Sequence, residues 1–86
     1  MNINELIAIL KKKLQNQIVI EKIDIQDKSF LHKNHKENSE GKFHLKILIQ
    51  SDELNKINRI ESNKKIYKIL DSELKKYIHS LQILIS

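Results

Sequence analysis

Four histidines in a chain without cysteine define the chemistry on offer. His79 opens an apolar, β-like run, Ile78-His79-Ser80-Leu81-Gln82-Ile83-Leu84-Ile85, in the same alternate register as Leu81, Ile83 and Ile85. His32 and His35 sit far away in sequence, in a long polar connection, and His44 lies in another β-like run. With no thiol available, nitrogen is the obvious ligand atom. An imidazole at a strand's rim, facing a histidine-bearing loop, is the arrangement that a shared metal or cluster site needs. His79 is therefore the first candidate ligand, with His32 and His35 as loop companions. The loop pair alone supplies too few ligands for a closed four-coordinate zinc site. The plainer readings stand beside these: His79 as an edge-of-core histidine bonded to a backbone carbonyl, His32 and His35 as solvated spacers, and His44 as a solvent-facing strand residue.

The second feature with chemical content is charge. Sixteen lysines and arginines against eleven acidic residues leave a net charge of +5, and Arg59 is the sole arginine. Lysine suits diffuse attraction to phosphate, whereas reading guanine edges favours arginine's bidentate fork. The ordinary reading of this excess is a solvated surface. Enzyme chemistry finds little support. With one glycine there is no phosphate-cradling loop, and no serine or lysine stands in a recognisable nucleophile motif. Asp27, Ser29 and His32 lie too close together in one loop to be read as a catalytic triad.

These residues need a scaffold, and the chain is short. Its 86 residues read as one domain, 1–86, with 40% hydrophobic and 31% charged residues, an ordinary globular composition. The apolar content is mostly isoleucine and leucine, and the four aromatics (Phe30, Phe43, Tyr67, Tyr77) offer few surfaces for stacking bases. The lack of cysteine removes disulfides and fits a reducing interior. The polar, acidic start does not resemble a signal peptide, and no stretch reaches the length of a membrane span. A soluble, cytoplasmic, monomeric protein is expected.

Periodicity orders the elements. Ile3, Leu6, Ile7, Leu10 and Leu14 recur at helical spacing, so residues 3–14 are expected to be an amphipathic helix, with Asn2 as N-cap and Glu5 three positions on. Ile18 to Ile25 is β-branched and strand-like, though its alternation slips between Ile20 and Ile23. Residues 26–42 form a connection too long for a simple hairpin. Phe43, Leu45, Ile47 and Ile49 then share one face of a second strand, with His44 pointing the other way. Leu54, Ile57 and Ile60 suggest a short helix or turn, and residues 61–76 a longer helix. The final strand follows. The order is helix, strand, strand, helix, helix, strand: an α+β domain, αββααβ, with a three-stranded sheet covered by helices on one face.

At this point the residues resemble a known family from end to end. Asp27-Lys28-Ser29-Phe30-Leu31-His32-Lys33-Asn34-His35 is similar to the Asp-x-Ser-x-x-His-x-x-His loop of BolA-family proteins. Phe43 to Ser51 resembles the family strand that ends in serine, with Leu54 where phenylalanine is usual. Tyr67, Leu70 and Glu73 match the long helix, and Ile78-His79-Ser80-Leu81 resembles the closing His-Ala-Leu strand. The fold this implies, similar to a class II KH domain, has the same αββααβ order.

The resemblance implies a partner of monothiol glutaredoxins that shares a [2Fe–2S] cluster with the glutaredoxin cysteine and glutathione. Carried over by position, His79 is this chain's principal metal ligand, His32 its companion and His35 the alternate. Imidazole is neutral, so replacing a thiolate with it makes a cluster less electron-rich, and a protonated imidazole cannot ligate. The resemblance also implies a runner-up, a DNA-binding transcriptional regulator with a helix-turn-helix-like surface. Here the chain departs from the family: Lys56 replaces the usual glycine, and Ser62-Asn63-Lys64 replaces an arginine–histidine–arginine triplet. Lys56, Arg59, Lys64, Lys65 and Lys68 remain to grip phosphate without reading sequence, or to dock an acidic partner face.

Overall fold

The computed structural model describes residues 1–29 and 42–86. Helix α1 spans Ile3–Gln17. Its start is fixed as the sequence predicts: the Asn2 side chain accepts from the Glu5 amide at 2.8 Å and donates to the Glu5 carboxylate at 2.9 Å. Leu6, Leu10 and Leu14 lie one turn apart on one stripe and are fully buried. The helix runs three residues past the expected end, and Ile18 caps it with an extended backbone while itself being buried.

Strand β1 therefore begins later than its composition suggests, at Lys22–Asp27. Ile18 and Ile20 belong to the passage from helix to sheet and pack against the core there, which accounts for the slipped alternation. Strand β2, Phe43–Gln50, pairs antiparallel with β1 on one side. Strand β3, Ile78–Ile85, pairs parallel with β2 on the other side, giving the sheet order β1-β2-β3. Between β2 and β3 run helix α2, Asp52–Asn55, helix α3, Arg59–Ile69, and helix α4, Asp71–Lys76.

The helix expected over 61–76 is interrupted at Leu70, whose ψ of 11° departs from helical values. Hydrogen bonds still run through it, from the Leu70 amide to Ile66 and from the Leu74 amide to Leu70. No glycine or proline stands there, and Leu70 is fully buried, so the bend answers to packing rather than to local propensity.

The core is one cluster. Leu6, Leu10 and Leu14 of α1, Leu54, Ile66 and Leu70 of the helical segment, and Ile25, Leu45, Ile47, Ile49 and Ile78 of the sheet are all buried. The odd-numbered residues of β2 thus face the helices, and the opposite sheet face carries Leu48, Lys46 and His44 in the alternate positions. The Lys13 ammonium of α1 reaches both Glu73 carboxylate oxygens of α4 at 2.8 Å, which stabilises the otherwise buried acid. Among the described residues, no helix is long and apolar enough to cross a membrane.

Candidate metal centre

The site is built at the end of the sheet where β2 and β3 begin. Parallel register runs evenly from His44↔Ser80 to Ile49↔Ile85, but Phe43 pairs with Ile78. One residue of β3, His79, is extra. This β-bulge corrects the sequence reading, in which His79 shares a face with Leu81, Ile83 and Ile85. Strict alternation from Leu81 back would carry His79 inward and leave Ile78 outside. With the bulge, Ile78 turns into the core, while His79 and Ser80 both face away from the helices and Leu81 returns inward. His79 is consequently exposed rather than sealed beneath the helices.

Its neighbour is the second correction. His44 does point away from Phe43 and Leu45, as its strand parity requires, yet it is not solvent-facing: only 5% of it is exposed. The His44 and His79 ring centres stand 4.9 Å apart with their planes tilted by 60°. Ser80, opposite His44 as the first pair of the regular ladder, places its Oγ 2.6 Å from His44 Nδ1. The strand backbone of His44 is held as well. Its amide donates to Ser29 Oγ at 3.0 Å, and its carbonyl accepts from the Lys28 amide at 2.7 Å.

Asp27 and Ser29 have a structural role here. Asp27 Oδ1 accepts from the Ser29 amide at 2.9 Å, forming a local turn, and the turned Ser29 hydroxyl takes the His44 amide. The Asp-x-Ser part of the motif closes the end of the β1–β2 pair and anchors a histidine that its pattern does not mention. His32 and His35 lie outside the described residues. Beside His44 is a depression of about 350 Å³, lined on the open face by Lys28, Lys46, Ser80 and Gln82. Among the described residues, no group of three or more histidines and carboxylates is gathered closely enough to hold a metal ion. Any metal here needs further ligands from elsewhere.

The basic residues are distributed differently. Arg59 donates to Asn55 Oδ1 at 3.0 Å and to the Ile85 carbonyl at 2.8 Å, tying the start of α3 to the outer edge of β3. Lys65 pairs with Glu53 at 3.3 Å and Lys64 loosely with Glu61 at 4.0 Å. Lys56 is exposed at the end of α2. Lys68 joins Lys13 and Lys65 around a cleft of about 530 Å³ between α1 and α3. With α2 a single turn of 4 residues, the α2–α3 unit lacks the first full helix of a helix-turn-helix.

His44 is the residue that sequence reading passed over. A strict β-alternation places it outside the core, and outside the core is read as solvent. The missing signal is the bulge, which only the pairing of β3 with β2 reveals.

Comparison with known proteins agrees with the fold. The sequence pattern of the family described as BolA-like protein matches residues 14–86. No curated protein is significantly similar in sequence. Among solved structures, the chain is similar to the BolA domain of SufE1 from Arabidopsis thaliana, with a TM-score of 0.79 and 22% identity over 100% of this chain and 93% of that one. It is also similar to BolA1 from Arabidopsis thaliana, with a TM-score of 0.78 and 24% identity over 92% of this chain and 87% of that one. A bol-like protein from Babesia bovis follows at a TM-score of 0.70 and 12% identity, over 91% and 79% of the two chains. At these identities the structural likeness speaks for the fold alone.

Proposed function

Because the chain belongs to the BolA-like protein family, we propose that it is a non-catalytic adaptor that binds a monothiol glutaredoxin and helps hold a shared [2Fe–2S] cluster, with His79 as its principal ligand. The observation that carries this reading is the bulge, which turns the His79 ring out of the core and onto the exposed, helix-free face. Bulges recur beside functional sites because they re-aim a side chain. The donor set also fits. This chain has imidazole and no thiol to offer, so it complements a partner that supplies thiolates. When bound, such a cluster supplies one-electron chemistry at a potential raised by nitrogen ligation. The chain's own contribution is to present an imidazole from a rigid strand.

The test is to purify the complex with a monothiol glutaredoxin and glutathione under anaerobic conditions. The complex is expected to show a cluster absorption and circular-dichroism spectrum unlike that of the glutaredoxin alone, and His79→Ala should abolish the difference. An identical spectrum with and without the wild-type chain would overturn the adaptor reading.

The nucleic-acid reading is supported less well. Arg59, Lys64 and Lys65 are each bonded within the chain, and the one-turn α2 gives α3 no helix-turn-helix buttress. What remains is salt-sensitive, sequence-blind phosphate contact.

A further inference from the structure

We propose that the outer edge of β3 is a strand-addition site for an extended, acidic segment of a partner protein, gated by Arg59 and Tyr67. This site is separate from the cluster reading: it uses the backbone edge of β3 and the flank of α3, and none of the histidines.

Sheet order β1-β2-β3 leaves two edges, and among the described residues no strand pairs with the outer side of β3. Ser86 bonds inward through both its amide, to Ile49, and its carbonyl, to Ser51. By alternation, Leu81, Ile83 and Ile85 turn their amides and carbonyls outward. The two edges differ in protection. β1 carries Lys22, Asp24 and Asp27, the kind of charged side chain that keeps an edge from pairing, whereas β3 has no lysine, arginine, aspartate or glutamate in its 8 residues. In their place, two side chains of α3 reach the edge. Arg59 donates to the Ile85 carbonyl at 2.8 Å, and the Tyr67 hydroxyl to the Leu81 carbonyl at 3.3 Å. The outward amide and carbonyl of Ile83 lie between these two anchors and are covered by neither.

The occupant follows from what borders the edge. Ile60, Lys64 and Tyr67 share one side of α3, where Ile60 is 68% and Tyr67 42% exposed. Lys64 meets Glu61 only at 4.0 Å, with both side chains largely in solvent. An extended segment laid along β3 replaces the guanidinium at Ile85 and the hydroxyl at Leu81 with its own amides, and Arg59 is released to pair with a carboxylate on that segment. Apolar side chains of the segment complement Ile60 and Tyr67, and acidic ones complement Arg59 and Lys64. A second copy of this chain fits less well. Stable interfaces take about 20–30 residues from each side, whereas the edge offers an 8-residue strand and one side of α3. Antiparallel pairing of two such edges would also bring Arg59 of one copy toward Lys64 of the other. The plainer account is that the Arg59 and Tyr67 bonds only fasten α3 to the sheet, which predicts an edge that takes no ligand.

The test titrates the isolated ¹⁵N-labelled chain with a short end-capped peptide alternating valine with glutamate, while backbone amide resonances are followed. The Leu81, Ile83 and Ile85 amides are expected to move together, and those of Ser80, Gln82 and Leu84, which face β2, to move little. The same peptide N-methylated at its edge-facing amides keeps its charge and apolar surface but loses the main-chain donors, and should bind about tenfold more weakly. Tyr67→Phe, which uncovers the Leu81 carbonyl at an exposed position, should tighten the unmethylated peptide about two- to tenfold. Arg59→Ala should weaken the glutamate peptide yet tighten one with threonine in its place. Equal binding of the N-methylated peptide, no movement of the outward amides, an unchanged constant in Tyr67→Phe, or no such reversal in Arg59→Ala overturns the proposal. So does tighter binding of a single-stranded oligonucleotide at the same amides. A sedimentation mass that rises with concentration while those amides move without peptide also overturns it, and assigns the edge to a second copy. The glutaredoxin complex enters none of these measurements, so failure here leaves the adaptor reading standing.

Discussion

The two ends of the β2–β3 pair are built from the same kinds of residue and do opposite things. At the far end, register is even and every strand terminus is tied. The Ser86 amide donates to the Ile49 carbonyl at 2.8 Å, the Ser51 amide to Ser86 at 3.2 Å, and Arg59 to Ile85 at 2.8 Å. Ser51 is fully buried, donates to the Val19 carbonyl at 2.7 Å and accepts from the Leu54 amide at 3.2 Å, so one hydroxyl joins the entry to β1, the end of β2 and the start of α2. At the near end, register slips by one residue, and the serine there, Ser80, is exposed and bonded to an imidazole instead of the backbone. Regular pairing accumulates stability, whereas the irregularity gives up one ladder position in return for one histidine, His79, on an exposed face.

This contrast can be broken by measurement. The largest effect is expected in the regular part: Ile47→Ala, fully buried at the middle of β2, should cost about 2–5 kcal/mol in urea unfolding. A loss below that range would mean that the core tolerates a hole at its centre. Next comes Ser51→Ala, which leaves the Val19 carbonyl and Leu54 amide without their partner and should cost about 1–3 kcal/mol. A neutral result would remove the argument that this end is the stability anchor. His79→Ala sharpens the comparison from the other side. As an exposed residue outside the regular ladder it should shift stability by no more than about 0.5 kcal/mol while eliminating the cluster signature of the complex. A large destabilisation would instead mark His79 as structural. The smallest effect concerns the basic surface. Lys64→Glu with Lys65→Glu should weaken any DNA association equally for all sequences and flatten its salt dependence, leaving the cluster signature of the complex unchanged.

Much of the scaffold was legible in the residues. The Asn2–Glu5 cap and the Leu6, Leu10, Leu14 stripe specify α1 because capping and helical periodicity are local. The alternation of Phe43, Leu45, Ile47 and Ile49 specifies the buried face of β2 for the same reason. The loop motif and terminal histidine carried the family resemblance. Boundaries were less legible. Ile18 and Ile20 have strand-forming side chains but complete the helix exit, since burial there outweighs β propensity. Leu70 breaks a helix that its own composition would continue. Around the candidate site, Asp27 and Ser29 were visible as a motif while their purpose, holding the His44 backbone, was not.

The sequence by itself determined the order of elements, the family, and the fact that imidazole nitrogen is the ligand this chain can offer in place of a thiolate. Those properties follow from residue type and near-neighbour spacing. Tertiary structure alone decided which way His79 faces. A β-bulge is a property of two strands in register, and the partners Phe43 and His44 lie more than thirty positions from Ile78 and Ser80. Moving one residue out of the ladder reverses the face of every side chain before it. That reversal sends Ile78 inward and brings His79 out beside His44, joining side chains that linear spacing keeps apart.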